Sequence, residues 1–295
     1  MSRIPLAGRA AGLALLAFAL VPGCTCSGVN RGDVNLVSLD DEWALGDQLA
    51  AEVDAQTEPL PDADTQAYLD DLGGALAART DLADREWTFT VLADPAVNAF
   101  ALPGGHVYVH AGVLAAAETQ DELASVVAHE VAHVAARHST ERMVKAHGLS
   151  LAAGLVLGDD PGLVRQLVAE AVGRSALARF SRTDEREADE VGMDLMVSAG
   201  YDPVGQAAMF ETLAALRARR PGPVERWFAT HPLGEERVEA AVEAAADRSA
   251  EGPPATDPEA FRDARARVLA VAASHRGSPE FGAEPERAPS RAVDR

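Results

Sequence analysis

The sequence predicts an α+β protein that is mainly α-helical, with a small β-sheet beside a metal-binding helix. Stretches with apolar residues at helical spacing occupy most of the chain. Residues 97–110 have the alternation and the central glycines of a β-hairpin. Shortly after them, residues 129–133 read His-Glu-Val-Ala-His within an apolar helical stretch. With 295 residues, 47% of them hydrophobic, the chain can form one sizeable core.

The first 23 residues have the organisation of a bacterial export signal. Two arginines precede an apolar run at 10–21, which is too short to span a bilayer comfortably. The run ends Leu-Val-Pro-Gly-Cys at Cys24, which resembles the lipobox of bacterial lipoproteins although its proline departs from the usual pattern. We therefore expect a lipid anchor at Cys24 on the periplasmic side of the bacterial envelope, and the same resemblance to lipoproteins implies the outer membrane, because Thr25 rather than Asp follows the cysteine. An ordinary thiol at Cys24 after a conventional cleavage site is the alternative.

Composition divides the rest of the chain into three parts. Residues 24–40 are rich in Ser, Gly, Asn and Asp and are predicted to be a flexible tether. Residues 41–250 are predicted to form the folded domain. From 251 to 295 the chain is rich in Pro and charged residues. We expect a partly disordered tail there, with one helix at 258–272 and disorder at 276–295.

The charge balance excludes one class of partner. The net charge is -20 and the pI is about 4.7, so binding of nucleic acid through a basic surface is not expected. The chain has two cysteines, Cys24 and Cys26, which cannot provide a disulfide framework, and a bridge between such close neighbours would be strained.

Before the motif, the chain alternates between helical and strand patterns. Helical spacing covers 40–53 and 64–79, separated by a break that contains prolines. Residues 87–92 alternate as a strand does. The hairpin strands, 97–102 and 106–110, flank a turn at Pro-Gly-Gly. The two histidines of the second strand, His106 and His110, are interpreted as strand residues rather than ligands.

The motif itself predicts a metal site on a helix. Thr119 and Glu122 form a predicted capping box at its start. His129 and His133 are one turn apart and therefore lie on one face, where one Zn²⁺ can bind both. Glu130 points to the side, where it can reach water rather than the metal. The alternative is that both histidines are core residues bonded to backbone carbonyls.

After the motif, helical patterns continue almost to the tail. Residues 141–178 are mostly helical, with a break near 158–162. Their apolar part, 149–157, is too short for a transmembrane helix, although it could enter a membrane interface instead of the core. Further helices are predicted at 183–200, 203–219 and 234–248.

A third zinc ligand must come from outside the motif. Ala136 and Ser139 stand where the extended metzincin motif has glycine and histidine, and His138 is one position out. On a helix from 183 to 199, Glu185 lies about 50° from the centre of the apolar face, and Asp189 follows on the same flank. We expect Glu185 to reach the metal and Asp189 to bond the outer nitrogen of a ligand histidine.

The same helix leaves two points open. Glu187 lies about 110° from the centre of the apolar face, so we expect it to face solvent. The whole segment could also be an ordinary solvated charged helix, because most stretches rich in Glu, Asp and Arg are.

Four motifs, in order, resemble metallopeptidase family 48, the HtpX and CAAX-prenyl-protease type of gluzincin, across about residues 95–240. They are Asn98-Ala99-Phe100-Ala101-Leu102-Pro103-Gly104-Gly105, His129-Glu130-x-x-His133, Phe180-Ser181-Arg182-x-x-Glu185-x-Glu187-Ala188-Asp189, and Thr230-His231-Pro232 with Arg237 six residues after the histidine. The short periplasmic lipoprotein members are closest in plan. The resemblance implies a zincin-like fold.

The resemblance also implies a set of roles. One Zn²⁺ per chain is expected on His129, His133 and Glu185, with Asp189 as the paired aspartate. Glu130 is expected to be the general base of peptide hydrolysis. His231 and Arg237 are expected to stabilise the oxyanion. In some relatives this histidine instead occupies the open zinc position, so His231 could also be a gate.

The hairpin predicts how a substrate would bind. An edge strand there can pair with an extended peptide through its backbone, which is largely independent of sequence. The substrate strand is expected to comprise Asn98, Ala99, Phe100 and Ala101, with Gly104 and Gly105 allowing the turn.

Three functions are compatible with these patterns. The first is a zinc endopeptidase acting on misfolded or unassembled envelope proteins. The second is a non-proteolytic chaperone or assembly factor, with a self-capped zinc site and outer-membrane assembly machinery as its partner. The third is a thiol protein that uses Cys24 and Cys26.

Overall fold

The computed structural model describes residues 37–147, 179–219 and 221–275. The predicted export signal, Cys24, nearly all of the tether, the apolar stretch at 149–157 and the predicted disorder at 276–295 lie outside the described residues. Among the described helices, none combines the length and the apolar character that crossing a membrane requires.

Two capped helices begin the described chain. Helix α1 spans Leu39–Asp54, and the Ser38 side chain accepts a hydrogen bond from the Asp41 backbone N–H at 3.1 Å. Helix α2 spans Ala63–Ala77 and is capped in the same way by Asp62. Each cap satisfies a backbone donor that the first helical turn leaves unpaired. Both helices lie where the spacing of apolar residues predicts them.

A three-stranded sheet follows, with strands β1 (Thr88–Leu92), β2 (Ala99–Leu102) and β3 (His106–His110). The order is β1-β3-β2, with β3 parallel to β1 and antiparallel to β2. The predicted hairpin is therefore confirmed. Gly104 and Gly105 have φ angles of 79° and 83°, which other residues rarely adopt. Within this sheet, β2 is an edge strand with one neighbour.

The sheet leads directly into three helices: α3 (Ala111–Ala116), α4 (Gln120–Ala135) and α5 (His138–His147). The Thr119 side chain caps α4 as predicted, but the Glu122 carboxylate accepts the N–H of Glu118 at 3.0 Å rather than that of Thr119. Between α4 and α5, Arg137 has a φ of 60°, and its side chain bonds the buried Glu42 of α1. This ion pair attaches α1 to the end of α4.

Five more helices complete the described chain: α6 (Arg182–Ser198), α7 (Val204–Arg219), α8 (Pro221–Thr230), α9 (Glu235–Ala246) and α10 (Pro258–His275). Helix α8 is not among the predicted elements. Helix α10 packs against α2 and α3, with Phe261, Ala264 and Val268 in the main core. The core therefore extends beyond residue 250, where the folded domain was predicted to end, because α10 has an apolar face of its own.

Helix α4 lies at the centre of the fold. Every residue from Leu123 to Val134 is buried, and α2, α6, α7 and β2 pack around the helix. Helix α6 approaches α4 closely at Gly192, where an added Cβ would lie 3.2 Å from backbone atoms of Ala128 and His129. The absence of a side chain at Gly192 thus lets α6 approach the turn that carries the motif.

Candidate metal centre

Four donor side chains converge between α4, α6 and the segment after α8. They are His129, His133, Glu185 and His231, and their ligand atoms all lie within 4.8 Å of one another. Each of the four residues is at most 3% exposed. A buried carboxylate and three buried imidazoles need polar partners, since unpaired polar burial costs several kcal/mol, on the order of 2–7.

The spacing of the donor atoms suits a small divalent cation. His129 Nε2 lies 3.0 Å from His133 Nε2 and 3.3 Å from His231 Nδ1. Glu185 places its oxygens 3.0 Å from His231 Nδ1, 3.6 Å from His133 Nε2 and 3.7 Å from His129 Nε2. Ligands about 2.0–2.1 Å from a tetrahedral zinc ion are about 3.3 Å apart. The donor set therefore fits zinc in both chemistry and spacing.

The outer nitrogens of the two motif histidines are also bonded. His129 Nδ1 lies 3.0 Å from Asp189 Oδ1, and His133 Nδ1 lies 2.9 Å from His138 Nδ1. A proton on each Nδ1 leaves the Nε2 lone pair directed at the centre of the cluster. His138 Nε2 is in turn 3.5 Å from Glu187 Oε2, so Glu187 is half-buried rather than facing solvent as predicted.

Arg237 holds the two acids of α6. Its Nε and Nη2 donate to the two oxygens of Asp189 at 2.6 and 2.7 Å. Its Nη1 donates to Glu185 Oε2 at 2.6 Å and to the Pro232 carbonyl at 2.9 Å. These bonds use four of the five N–H donors of the guanidinium group. Arg237 therefore lies behind the donor set, which favours a positioning role over the oxyanion contact predicted from the resemblance.

The charges of the cluster are strongly coupled. Burial would raise the pKa of Glu185, but His231, His133 and His129 together hold that pKa well below its ordinary value. Burial alone would lower the pKa of His231, but the charges of Glu185 and Glu130 outweigh burial and raise that pKa above its ordinary value. Burial lowers the pKa of His133 well below its ordinary value. The carboxylate is thus ionised and His133 is neutral, which are the forms that bind a metal ion.

Glu130 lies beside the donor set and is not part of it. Its Oε1 is 3.4 Å from His231 Nε2 and, within the described structure, makes no hydrogen bond. The backbone N–H of Ala101, on β2, donates to the same carboxylate. Burial raises the pKa of Glu130 although His231 and His129 lower it in part. A raised carboxyl pKa suits a group that must take up and release a proton near neutral pH.

Two aromatic side chains cover the cluster. The Phe180 ring stacks on His133 with centroids 4.0 Å apart and an interplanar angle of 21°. The Trp227 ring lies 4.7 Å from that of His231. Both aromatic residues are buried, so they restrict the histidine orientations and exclude water from that side of the donors.

Helix α8, which carries Trp227 and leads to His231, is attached to the chain after β1. Arg226 Nη1 lies 3.0 Å from Asp94 Oδ2, and the Val97 N–H donates to the Pro223 carbonyl at 2.8 Å. Asp94 also lies 3.4 Å from the Nδ1 of the buried His110. These contacts couple the position of His231 to the sheet.

The structure brings together most of the residues singled out in the sequence. His129, Glu130, His133, Glu185, Asp189, His231 and Arg237 form one cluster. Asn98, Ala99, Phe100 and Ala101 lie in or directly before β2, and Gly104 and Gly105 form the hairpin turn. His106 and His110 lie in β3, 3.1 Å from Asp47 and 3.4 Å from Asp94, so they are strand residues as predicted.

Three supporting residues were not assigned these roles from the sequence. His138 was considered only as a ligand, and its contact with His133 depends on the turn at Arg137. Trp227 and Asp94 lie far from the motif in the chain, and no local pattern marks them. Phe180, by contrast, belongs to a quoted motif and could have been identified by its position before the capped helix.

Together, the buried helix with His-Glu-x-x-His, the acid supplied by a second helix and the small sheet beside them define a zincin-like metallopeptidase architecture. The family model Peptidase family M48 matches residues 63–245. The chain therefore belongs to peptidase family M48.

Known relatives share this region. The mitochondrial metalloendopeptidase OMA1 of Schizosaccharomyces pombe is 34% identical over 212 residues, which is 71% of this chain and 62% of the relative. The OMA1 of Arabidopsis thaliana is 36% identical over 165 residues, or 55% of this chain and 32% of the relative. The beta-barrel assembly-enhancing protease of Escherichia coli K12 is 27% identical over 215 residues, or 68% of this chain and 43% of the relative. This chain thus matches between 32% and 62% of the length of these relatives.

Proposed function

We propose that this protein is a zinc endopeptidase with one Zn²⁺ per chain. The observation that carries the proposal is the donor set of His129, His133 and Glu185, whose atoms lie at tetrahedral zinc spacing beside an ionisable Glu130. A zinc ion bound there would polarise a peptide carbonyl and lower the pKa of water toward 7. Family membership and the metalloendopeptidase name of the fission-yeast relative support this activity.

Glu130 is the general base in this proposal. Its buried carboxylate, with a raised pKa and one oxygen that bonds no described residue, can accept a proton from the attacking water. The same carboxyl group can then pass the proton to the leaving amine. The Ala101 N–H restricts the orientation of the carboxylate during both transfers.

Strand β2 is the proposed binding site for the substrate backbone. It pairs with β3 through Phe100 and Leu102, so the outer side of the strand carries the peptide groups of Ala99 and Ala101. An extended peptide added at this edge would run beside Glu130, which already contacts Ala101. Backbone pairing of this kind favours unfolded segments of many sequences.

The proposed setting is the bacterial envelope. The pattern at 1–24 supports export and a lipid anchor at Cys24, with residues 24–40 as a tether to the domain that begins near residue 41. The E. coli relative is named a beta-barrel assembly-enhancing protease, which supports misfolded or unassembled outer-membrane proteins as substrates and the outer-membrane assembly machinery as a partner. The segment beyond residue 251 would then contribute helix α10 to the core.

The decisive experiment compares wild type with Glu130→Gln. We expect the variant to lose hydrolysis of an unfolded protein such as casein by at least about 100-fold, because general-base catalysis contributes about 10²–10⁴-fold. Its zinc content should stay near one per chain, since Glu130 is not a donor. Hydrolysis retained at the wild-type rate by Glu130→Gln would refute the proposed mechanism.

A second function is favoured by the position of His231. Its Nδ1 lies within 3.3 Å of both Glu185 and His129, inside the donor set rather than at its edge. A histidine in that position can occupy the fourth zinc coordination site and keep the protein inactive as a peptidase, consistent with a chaperone or assembly role. His231→Ala should then raise peptidase activity, whereas a fall would assign His231 to catalysis.

A further inference from the structure

A cleft rich in arginine opens beside the donor set. It has a volume of about 210 Å³, and Glu185 forms part of its wall. Its charged lining residues are Arg179, Arg182, Arg186, Arg237, Glu185 and Glu236. Four guanidinium groups thus face two carboxylates in a protein whose net charge is -20. Such a local excess of positive charge contrasts with the acidic molecule around it.

Three of the four arginines are available to a ligand. Arg237 is buried and its bonds to Asp189 and Glu185 occupy it. Arg179, Arg182 and Arg186 are exposed, and none of them forms an ion pair or hydrogen bond within the described residues. Since a guanidinium group binds carboxylates through two parallel N–H donors, these side chains form a receptor for anions.

The cleft is close to the proposed scissile bond. Arg182 and Arg186 are one turn apart on α6, and Glu185 lies between them in sequence with its carboxylate directed at the donor set. Glu185 therefore belongs both to the donor set and to the cleft wall, so the two sites adjoin. On the other wall, Pro232 and Leu233 follow His231 directly.

We propose that the arginine cleft is a specificity subsite that binds an Asp or Glu side chain of the substrate near the scissile bond. This proposal rests on the proposed peptidase function. The exposed guanidinium groups attract the carboxylate, and the apolar wall at Leu233 packs against its methylene groups. Exposed ion pairs are weak, so two arginines should favour an acidic residue over its amide by about five- to tenfold in kcat/KM.

Matched peptides test the subsite. Fluorogenic peptides with amidated C-termini would carry either Glu or Gln at one position, scanned over three residues on each side of the cleaved bond. Wild type should prefer Glu at one position by about five- to tenfold, and Arg182→Gln/Arg186→Gln should reduce that ratio to about one. The control Arg79→Gln/Arg262→Gln removes the same charge from two exposed positions outside the cleft, one just after α2 and one on α10, and should keep the ratio.

The outcomes distinguish the subsite from the peptidase function. Two results would overturn the subsite: equal kcat/KM for the Glu and Gln peptides at every position, or a preference for Glu that survives in Arg182→Gln/Arg186→Gln. In either case, hydrolysis of the Gln peptides would still support the peptidase function. If wild type cleaves no peptide, binding of the Glu and Gln peptides to Glu130→Gln, measured by fluorescence anisotropy, still tests the cleft.

Discussion

Arg237 donates hydrogen bonds to both carboxylate oxygens of Asp189, from Nε to Oδ2 at 2.6 Å and from Nη2 to Oδ1 at 2.7 Å. The same Oδ1 lies 3.0 Å from His129 Nδ1. Arg237 of α9 therefore positions the candidate zinc ligand His129 of α4 through Asp189 of α6. The pKa of Asp189 is lowered because the bonds from His129 and Arg237 outweigh its burial. A carboxylate held ionised in this way keeps the His129 proton on Nδ1 and leaves Nε2 free for a metal ion.

Asp189→Asn should weaken zinc binding by about 10- to 100-fold, because an amide neither fixes the His129 proton nor balances the charge of Arg237. The measurement is a competition titration with a zinc chelator of known affinity. Asp194→Asn is the control, since Asp194 lies on the same helix but is exposed and pairs with Arg248. Equal zinc affinity for both variants would exclude the proposed role of Asp189.

Gly192→Ala should push α6 away from α4, because the added Cβ would meet backbone atoms of Ala128 and His129 at 3.2 Å. Overpacking lowers folding stability by about 1–3 kcal/mol, and the higher helix propensity of alanine offsets about 1 kcal/mol of that loss. We expect a lower free energy of unfolding, measured by urea titration, and a lower zinc affinity. The control is Gly74→Ala in α2, where the Cβ meets nothing within 4 Å and should be stabilising. Similar effects of the two substitutions would contradict the close approach at Gly192.

Removal of zinc should lower the melting temperature. Binding to the native state at 1,000 times Kd stabilises it by about 4 kcal/mol, which is about 10 °C for a domain of this size. Calorimetry with and without a chelator measures the shift. His129→Ala should melt lower from the outset and respond little to the chelator. A chelator effect of the same size in His129→Ala would show that zinc stabilises the protein elsewhere.

Asp94→Asn should destabilise the attachment of α8, and the loss should depend on pH. Burial raises the pKa of Asp94, but the adjacent His110 ring, the hydrogen bond from the Ala96 N–H and the charge of Arg226 lower it further, so that it lies below its ordinary value. A carboxyl group with a depressed pKa stabilises the fold above the pKa of the unfolded chain, about 3.9, and loses that effect as the pH falls through the folded pKa.

The difference in unfolding free energy between wild type and Asp94→Asn should therefore be constant from pH 7 to pH 5 and shrink below about pH 4. Because Asp94 is partly exposed, we expect a difference of only about 1 kcal/mol. Urea titrations across this range provide the measurement. A difference that stays constant below pH 4, or that already vanishes near pH 6, would show that the charge of Asp94 does not control the attachment.

Local patterns predicted a large part of the fold. Helix α4 was predictable because its cap, its apolar run and its spacing agree, and the hairpin because Gly104 and Gly105 permit its turn. Helix α8 escaped prediction since its Pro-Gly-Pro start is typical of a loop, although proline is tolerated in a first helical turn. The parallel pairing of β1 with β3 is a long-range contact that no local pattern contains.

The positions of site residues could be predicted where those residues lie on one face of a single helix. The spacing of Glu185 and Asp189 puts both on one flank of α6, and the packing of α6 against α4 turns that flank toward the motif. The position of Arg237 behind these acids depends instead on how α9 packs against α6, which spacing alone does not determine. For the same reason, the contact between His138 and His133 could not be predicted from a helical continuation of α4.

The donor set joins parts of the chain that are far apart in sequence: His129 and His231 are separated by 102 residues, and Glu185 and Arg237 by 52. During synthesis or export, a chain that ends before His231 has the motif helix but lacks Arg237 and the segment that covers the site. Contacts between distant segments form late, because the loop between them must close first. The donor set is therefore complete only after the segment that carries His231 and Arg237 has folded beside α4 and α6.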